Sequence, residues 1–96
     1  MIENWFVRKR PSRLERRIEF SNYEETREYL DRIADLAEEK RHYPDLSFGP
    51  THVCITLAPH DEGGEIDEAL MRYAAQMDDL SRQIGQQANE GAGKVR

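Results

Sequence analysis

Two stretches of the chain, residues 13–20 and 52–57, alternate apolar and polar side chains with the two-residue period of a half-buried β-strand. A sheet with one apolar face has to bury that face under a second layer, so this pattern restricts the fold more than any other feature of the sequence. Arg16 interrupts the apolar face of the first stretch, which we attribute to the tolerance of an edge strand for charge. The apolar positions are Leu14, Ile18, Phe20, Val53, Ile55 and Leu57.

Two segments of helical period supply the second layer. Ser21 with Glu24 fits a capping box, and the helix that follows is predicted to run for about five turns until Pro44 prevents continuation. A second helix is predicted over residues 66–84. The apolar positions that recur at helical spacing are Thr26, Tyr29, Leu30, Ile33, Ala34 and Ala37 in the first helix, and Ile66, Leu70, Tyr73, Ala74, Met77, Leu80 and Ile84 in the second.

Two shorter strands complete the expected fold. Residues 5–7 are apolar, and residues 44–48 lead through Gly49 and Pro50 into a hairpin with residues 52–57. The order of strands, helix, hairpin and helix predicts one α+β domain over residues 1–84, with both helices on one face of an antiparallel sheet. Residues 85–96 are rich in Gly, Gln and Ala and are expected to be disordered. The uncovered sheet face and the free strand edges favour a dimer, formed edge to edge or through the helices.

The length and the composition exclude several classes of protein. A chain of 96 residues makes one domain with a modest core. It contains no run near the roughly 18 apolar residues of a membrane span and no apolar centre of a signal peptide, so we expect a cytoplasmic protein with no membrane partner. Cys54 is the only cysteine, which excludes an internal disulfide and a zinc site of four thiolates.

Charge is divided unevenly along the chain. Residues 1–17 carry six basic side chains against two acidic ones, a net of +4, and because the whole chain carries −5, residues 18–96 carry −9. The acidic body would repel phosphate, so we do not expect nucleic acid as a partner. We interpret the basic segment instead as a solvated strand edge or as a docking surface for an acidic protein.

All three histidines, His42, His52 and His60, fall in the short stretch from Lys40 to His60. His42 follows the first helix and His60 follows the strand, so the two imidazoles can meet over one pocket and act as general acid and base. A histidine in the last turn of a helix can also simply complement the helix dipole, and the spacing alone favours this second interpretation. The spacing of the histidines and Cys54 does not match a zinc site, so we expect no metal.

Residues 20–44, FSNYEETREYLDRIADLAEEKRHYP, resemble the core of the pterin-4a-carbinolamine dehydratase family. The family pattern is an aromatic pair before a helix, a closing His-His-Pro, and a later strand that ends in Thr-His. The resemblance covers about residues 13–80 and implies a four-stranded antiparallel sheet with helices on one face, assembled as a homodimer or tetramer. The positions in register are Phe20, Tyr23, Ala34, Ala37, His42, Pro44, Val53, Ile55, Thr56, Leu57 and His60.

In the active enzymes of this family, both histidines of His-His-Pro and the histidine after the strand surround the pterin and move protons as water leaves the 4a-hydroxyl compound. Carried over position by position, these residues are His42, Tyr43 and His60. Tyr43 is a departure, because a phenol with a reference pKa near 10 is a poorer base at neutral pH than an imidazole near 6.5. The resemblance therefore implies a degenerate pocket, in which we assign no residue a catalytic role.

Two further positions depart from the family. This chain has Pro59 where the family has threonine before the last histidine, and the aspartate expected early in the final helix falls at Ala69 or Leu70. Asp67 can replace it only if the helix shifts by most of a turn. The remnant of the pterin pocket is thus expected to comprise His42, Tyr43, Pro44, His60 and Asp67.

The segment Tyr43–Gly49, YPDLSFG, together with the arginine-rich residues 10–17, is similar to the pterin dehydratase-like proteins encoded with α-carboxysomes, which act as RuBisCO assembly factors. From this resemblance we predict a non-enzymatic RuBisCO assembly factor associated with the carboxysome, with RuBisCO subunits as partners and no cofactor. The alternative is an active 4a-hydroxytetrahydrobiopterin dehydratase that has a pterin as its substrate and works with His42 and His60 alone. Candidate docking residues are Arg10, Arg13, Arg16, Arg17 and Phe48.

Overall fold

The computed structural model describes residues 5–61 and 64–95, with side chains in the last helix described as far as Ile84. One antiparallel sheet of four strands in the order β1-β2-β4-β3 carries both helices on one face, so the predicted α+β class is confirmed. The elements in chain order are β1 (Phe6–Arg8), β2 (Arg13–Glu19), α1 (Tyr23–Lys40), β3 (Asp45–Gly49), β4 (His52–Leu57) and α2 (Glu68–Val95).

The strand register assigns each side chain to one of two sheet faces. Leu14 lies opposite Leu57 and Ile18 opposite Val53, so the apolar positions of the two central strands share the face under the helices, which we call the helix face. The alternate positions, such as Glu15 opposite Thr56, form the open face, which is polar and partly exposed. The expectation of one buried and one wet face is thus confirmed.

The core lies between the helix face and the two helices. Tyr29 and Ile33 of α1 and Tyr73 and Met77 of α2 are buried against the central strands. The Tyr29 hydroxyl donates a hydrogen bond of 3.1 Å to the Met77 carbonyl, which ties the helices together, and burial raises the pKa of Tyr29 well above its usual range. Ala34, which the helical period assigned to the apolar face, is exposed.

Arg16 has a different explanation from the one that its sequence position suggested. β2 is a central strand rather than an edge, and the Arg16 side chain lies on the helix face with only 17% of its surface exposed. Its Nε donates to Asp78 Oδ1 at 2.8 Å, and the Trp5 indole Nε1 donates to both oxygens of the same carboxylate at 3.1 and 3.0 Å. A charge is therefore tolerated under α2 because the helix supplies its counterion.

Both ends of α1 differ in detail from the prediction. The N-cap is Asn22 rather than Ser21, since Asn22 Oδ1 accepts from the Glu25 backbone N–H at 2.8 Å while Glu25 Oε1 accepts from the Ser21 N–H at 2.9 Å. The helix ends at Lys40, well before Pro44, because Arg41 turns into the left-handed region with φ of 53°.

The two edge strands leave large apolar side chains exposed. Leu46 and Phe48 of β3 lie on the helix face, opposite Ile55 and Val53 of β4, but the helices do not cover them. Phe6 and Val7 of β1 are exposed at the other edge. Among the described residues, neither helix is apolar enough over a sufficient length to cross a bilayer. The predicted disorder of residues 85–96 concerns a segment whose side chains lie outside the described residues, and it stays a prediction.

Candidate functional site

His42 owes its position to the way in which α1 ends. After Lys40 the left-handed Arg41 reverses the chain, and the His42 backbone N–H donates to the Ala37 carbonyl at 3.1 Å. This pattern of a left-handed residue followed by a bond back to the last turn is a Schellman motif, and it fixes the chain direction immediately after a helix. The His42 side chain is thereby held between the end of α1 and the end of β4.

His60 lies three residues beyond the end of β4 and stacks on His42. The two ring centroids are 3.9 Å apart with an angle of 35° between the planes. His42 Nε2 lies 2.6 Å from the Ala58 carbonyl oxygen, and because a carbonyl oxygen can only accept, Nε2 carries the proton. The remaining nitrogen of His42, Nδ1, is therefore the one that can accept a proton from a bound molecule. The structure thus brings together the two histidines that the sequence paired.

Tyr73 of α2 completes the group, although the sequence indicated it only as a core residue. Its hydroxyl donates a hydrogen bond of 2.6 Å to the His42 carbonyl, and its ring meets the His42 ring edge-on at 5.5 Å. Burial, with a smaller contribution from Tyr43, raises the pKa of Tyr73 to about 12. Tyr73 therefore remains a hydrogen-bond donor at neutral pH. The signal in the sequence was that a buried tyrosine, unlike phenylalanine, needs a partner for its hydroxyl.

A cavity of about 660 Å³ opens beside the stacked histidines, between the end of α1, the loop after β4 and the start of α2. The side chains that give it chemical character are Glu39, Lys40, His42, His60, Asp61, Glu65, Asp67 and Tyr73. Four of these are carboxylates, and the Lys40 ammonium lies 5.5 Å from the centre of the Tyr73 ring. The volume is in the range of small-molecule sites.

Asp67 lines this cavity but has a structural role as well. Its Oδ1 accepts from the Leu70 backbone N–H at 2.9 Å, and its carbonyl accepts from the Met71 N–H at 3.1 Å, so Asp67 caps the N-terminus of α2. One carboxylate oxygen is therefore committed to the helix, and the other oxygen is the one that can face a bound molecule.

Tyr43 and Pro44 lie on the outer side of the histidine pair. Tyr43 is 67% exposed and borders a second, smaller cavity of about 270 Å³ together with His42, His60 and Asp45. Pro44 is half-buried and leads directly into β3. The phenol of Tyr43 thus sits at the rim of the histidine pair, where it can contact a partner as readily as a small molecule.

His52 and Cys54 lie elsewhere, on the open face of β4. The His52 ring packs over Gly49 of β3, where an added β-carbon would come within 2.8 Å of His52 Nδ1. These residues therefore do not join His42 and His60. Across residues 5–61 and 64–95, no group of three or more side chains is arranged to hold a metal ion.

The candidate docking residues divide into two groups. Arg10, Arg13 and Arg17 lie at or near the surface of β2 and the turn before it, and Phe48 is 57% exposed on β3. Arg16 does not belong with them, because its guanidinium is paired with Asp78 beneath α2. Arg16 therefore offers a partner little unpaired charge, and its part in a docking surface stays a prediction.

Comparison with known proteins supports this assignment of the scaffold. The family model for pterin 4 alpha carbinolamine dehydratase matches residues 1–80. A protein of Thermomicrobium roseum named as a pterin-4-alpha-carbinolamine dehydratase is 40% identical over 60 residues, which is 60% of this chain and 64% of that protein. A protein of the same name from Rubrobacter xylanophilus is 36% identical over 67 residues, which is 70% of this chain and 62% of that protein. The matched region thus spans less than two thirds of either relative.

Two solved structures share the fold. One is a pterin dehydratase-like protein identified as a RuBisCO assembly factor in the alpha-carboxysome; it is 35% identical, with a TM-score of 0.74 over 82% of this chain and 90% of that one. The other is a transcriptional coactivator/pterin dehydratase from Brucella melitensis, 23% identical with a TM-score of 0.74. With a family model that covers most of the sequence and a shared α+β architecture, this chain belongs to the pterin 4 alpha carbinolamine dehydratase family.

Proposed function

We propose that this chain is a non-enzymatic RuBisCO assembly factor of the α-carboxysome, built on a pterin dehydratase scaffold whose pocket no longer performs the reaction. In this proposal the protein works in the cytoplasm in association with the carboxysome, has RuBisCO subunits as partners and uses no cofactor. A shared fold does not imply a shared reaction, so the argument rests on the pocket and its surroundings.

The observation that carries the proposal is the set of groups around the cavity. The second position of the family's His-His-Pro is Tyr43, whose side chain is largely exposed at the pocket rim. His42 already donates its Nε2 proton to the Ala58 carbonyl, and Asp67 already caps α2. Of the groups that would hold and protonate a pterin, the second histidine is replaced by Tyr43. His42 and Asp67 each keep only one atom for a bound molecule, Nδ1 and the second carboxylate oxygen, which favours a binding role over proton transfer.

The likeness to the RuBisCO assembly factor supports the same conclusion. At 35% identity over 90% of that chain, the match is more extensive than the matches to the two relatives named as dehydratases. An assembly factor requires a stable scaffold with exposed contact surfaces and no catalytic base, and both edge strands of this sheet present exposed apolar side chains.

We further propose that the chain forms a homodimer through β3. An antiparallel pairing of two β3 strands centred on Ser47 sets Leu46 of each copy opposite Phe48 of the other, and places each Asp45 opposite Gly49. Aromatic and aliphatic residues are favourable cross-strand pairs, and no like charges meet. The exposed apolar surface of β3 would thereby be buried.

Co-expression with RuBisCO tests the proposed function. Large and small RuBisCO subunits are produced in a bacterial host with and without this chain, and assembled RuBisCO is measured by native gel and by carboxylation activity. We expect a several-fold rise in soluble, assembled RuBisCO in the presence of the chain, unchanged by His60→Ala, because the histidine pair is not required. If the amount of assembled RuBisCO is the same with and without the chain, the proposal is wrong.

The second candidate is a working dehydratase, and one specific observation favours it: His42 and His60 remain stacked at 3.9 Å beside a cavity of about 660 Å³. The test follows formation of quinonoid dihydropterin from the 4a-hydroxy compound by absorbance. Turnover that His60→Ala abolishes and that the matched variant His52→Ala, on the open face, retains would establish the enzyme. Absence of turnover above the spontaneous rate would exclude it.

A further inference from the structure

The β1–β2 hairpin, residues 6–19, concentrates positive charge on an otherwise acidic molecule. With Arg16 neutralised by Asp78, the hairpin presents five basic side chains against two carboxylates, a net of +3, whereas the whole chain carries −5. We call this surface the basic hairpin. Its exposed or partly exposed charged residues are Arg8, Lys9, Arg10, Arg13, Glu15, Arg17 and Glu19.

Several of these charged side chains form ion pairs with one another within the hairpin. Glu15 accepts hydrogen bonds from Arg8 at 3.0 Å and from Arg13 at 2.9 Å, and these arginines lower the pKa of Glu15, Arg8 contributing more. Arg17 pairs with Glu19 at 3.2 Å. Among the ion pairs of the described residues none involves Lys9 or Arg10, which are both exposed at the turn. Two cations at the tip are thus available to an outside partner.

Apolar surface lies next to these cations. Phe6 is 64% exposed and Val7 59% exposed on β1, and the Arg8 guanidinium carbon lies 5.7 Å from the centre of the Phe6 ring. β1 is the last strand of the sheet, and within residues 5–61 and 64–95 no strand lies along its outer backbone edge. A free strand edge pairs with an extended segment, and adjacent basic residues repel basic segments while attracting acidic ones.

We propose that the outer edge of β1 and the basic turn form a docking site for an extended, acidic protein segment. The backbone of β1 pairs with the segment, Phe6 and Val7 contact its apolar side chains on alternate faces, and Lys9 and Arg10 bind its carboxylates. The inference rests on the proposed function in one respect: the natural segment belongs to a RuBisCO subunit that is not yet assembled. An acidic peptide rather than nucleic acid fits the site, because the −9 carried by residues 18–96 repels a long polyanion.

A binding measurement on the purified chain tests the site directly. The probe is a fluorescein-labelled peptide of alternating valine and glutamate, followed by fluorescence anisotropy at about 0.05 M salt, where charge attraction is weakly screened. We expect the double variant Lys9→Glu, Arg10→Glu to weaken binding about tenfold or more, and Phe6→Ala to weaken it about fivefold. The effect of the double variant should shrink at about 0.5 M salt, whereas that of Phe6→Ala should not.

Two controls make the measurement decisive. The matched variant Arg27→Glu, Arg72→Glu reverses the same number of charges on the exposed surfaces of the two helices and should leave binding within about twofold. A peptide of alternating valine and lysine should not bind. The inference is overturned if the hairpin and helix variants lose the same amount of affinity for the acidic peptide. It is also overturned if the chain binds a duplex DNA probe and does not bind the acidic peptide.

Co-expression separates this inference from the proposed function. If the wild-type chain raises the yield of assembled RuBisCO and the Lys9→Glu, Arg10→Glu variant does so equally well, the docking site is refuted while the assembly role stands. The opposite outcome is that the wild-type chain does not change the yield of assembled RuBisCO, yet binds the acidic peptide more tightly than the hairpin variants do. In that case the docking site stands and the assembly role is refuted. Circular dichroism of each variant confirms that a loss of function is not a loss of fold.

Discussion

Tyr73 shows how one hydroxyl group organises the candidate site. Its ring belongs to the core, but its hydroxyl reaches out of the core to the His42 carbonyl and fixes the backbone that carries the stacked imidazole. At the level of sequence it is one apolar-face position among several on α2. Only the structure reveals which acceptor the phenol finds, because that acceptor lies in another element of the chain.

Replacement of Tyr73 by phenylalanine is expected to lower the free energy of unfolding by about 0.5–1.5 kcal/mol at neutral pH, because the partly buried hydrogen bond to the His42 carbonyl is lost. The folded-state pKa of about 12 lies above the unfolded value near 10, so this tyrosine contributes stability that is fully present below pH 10 and is lost as the pH rises through 12. The difference between wild type and Tyr73→Phe should therefore narrow at alkaline pH. Urea unfolding at several pH values measures it, and a constant difference would contradict this account.

Replacement of Asp78 is expected to lower the free energy of unfolding more than replacement of Tyr73. Asp78→Ala removes the counterion of Arg16 and the acceptor of the Trp5 indole, leaving a guanidinium under α2 without a compensating negative charge. Loss of one partner of a buried ion pair costs about 3–5 kcal/mol of unfolding free energy. The adjacent Asp79→Ala serves as the control: Asp79 pairs with Arg82 at the surface, so we expect less than about 1 kcal/mol. Similar losses in both variants would show that the buried pair has no special role.

At the scale of elements, the end of α1 deserves a direct test because it positions His42. Arg41 occupies the left-handed region that glycine adopts without a steric penalty. Arg41→Gly should therefore raise the free energy of unfolding by about 0.5–1 kcal/mol, whereas Glu39→Gly, inside the last helical turn, should lower it by about 1 kcal/mol. Thermal unfolding of the two variants compares them. A loss of stability in Arg41→Gly would indicate that the arginine side chain makes a contribution that outweighs its backbone conformation.

The elements themselves could be predicted well from the sequence, since their signals are local. The alternation in residues 13–20 and 52–57 and the helical period from Thr26 to Ala37 correspond to β2, β4 and α1. The helix start was wrong by one residue, because Ser21 with Glu24 and Asn22 with Glu25 both fit a capping pattern and only the three-dimensional bonds decide between them. The predicted helix end, set by Pro44, was wrong because α1 stops at Lys40. A glycine after the last helical turn would have indicated this stop, whereas an arginine in the left-handed conformation gives no such signal in the sequence.

The long-range features could not be predicted in this way. No local pattern indicates that β2 is a central strand, or that Arg16 and Trp5 share the carboxylate of Asp78, which follows them by 62 and 73 residues. At the candidate site, the family resemblance selected His42 and His60 correctly as neighbours, whereas Tyr73 and the capping role of Asp67 depend on where α2 begins relative to the loop after β4.

At the scale of the whole molecule, the two sheet edges are expected to have different roles. Phe48→Glu places a charge opposite Leu46 in the proposed β3 pairing, so the dimer should dissociate, with its dissociation constant raised at least about tenfold. Val7→Glu, which alters an equally exposed residue at the β1 edge, should leave the oligomeric state unchanged. Size-exclusion chromatography with light scattering measures both. A dimer that survives Phe48→Glu would exclude the β3 edge as the interface.

The strand order β1-β2-β4-β3 also has a kinetic consequence. Each outer strand pairs with the strand next to it in sequence, whereas the central pair aligns Leu14 with Leu57 across the whole of α1 and the β3 hairpin. The β1–β2 and β3–β4 hairpins can each form within microseconds. The β2–β4 pairing requires closure of the long loop that contains α1 and β3, and this loop closure sets the folding rate. Substitutions along the β2–β4 seam should therefore slow folding, and substitutions in the outer strands should mainly speed unfolding.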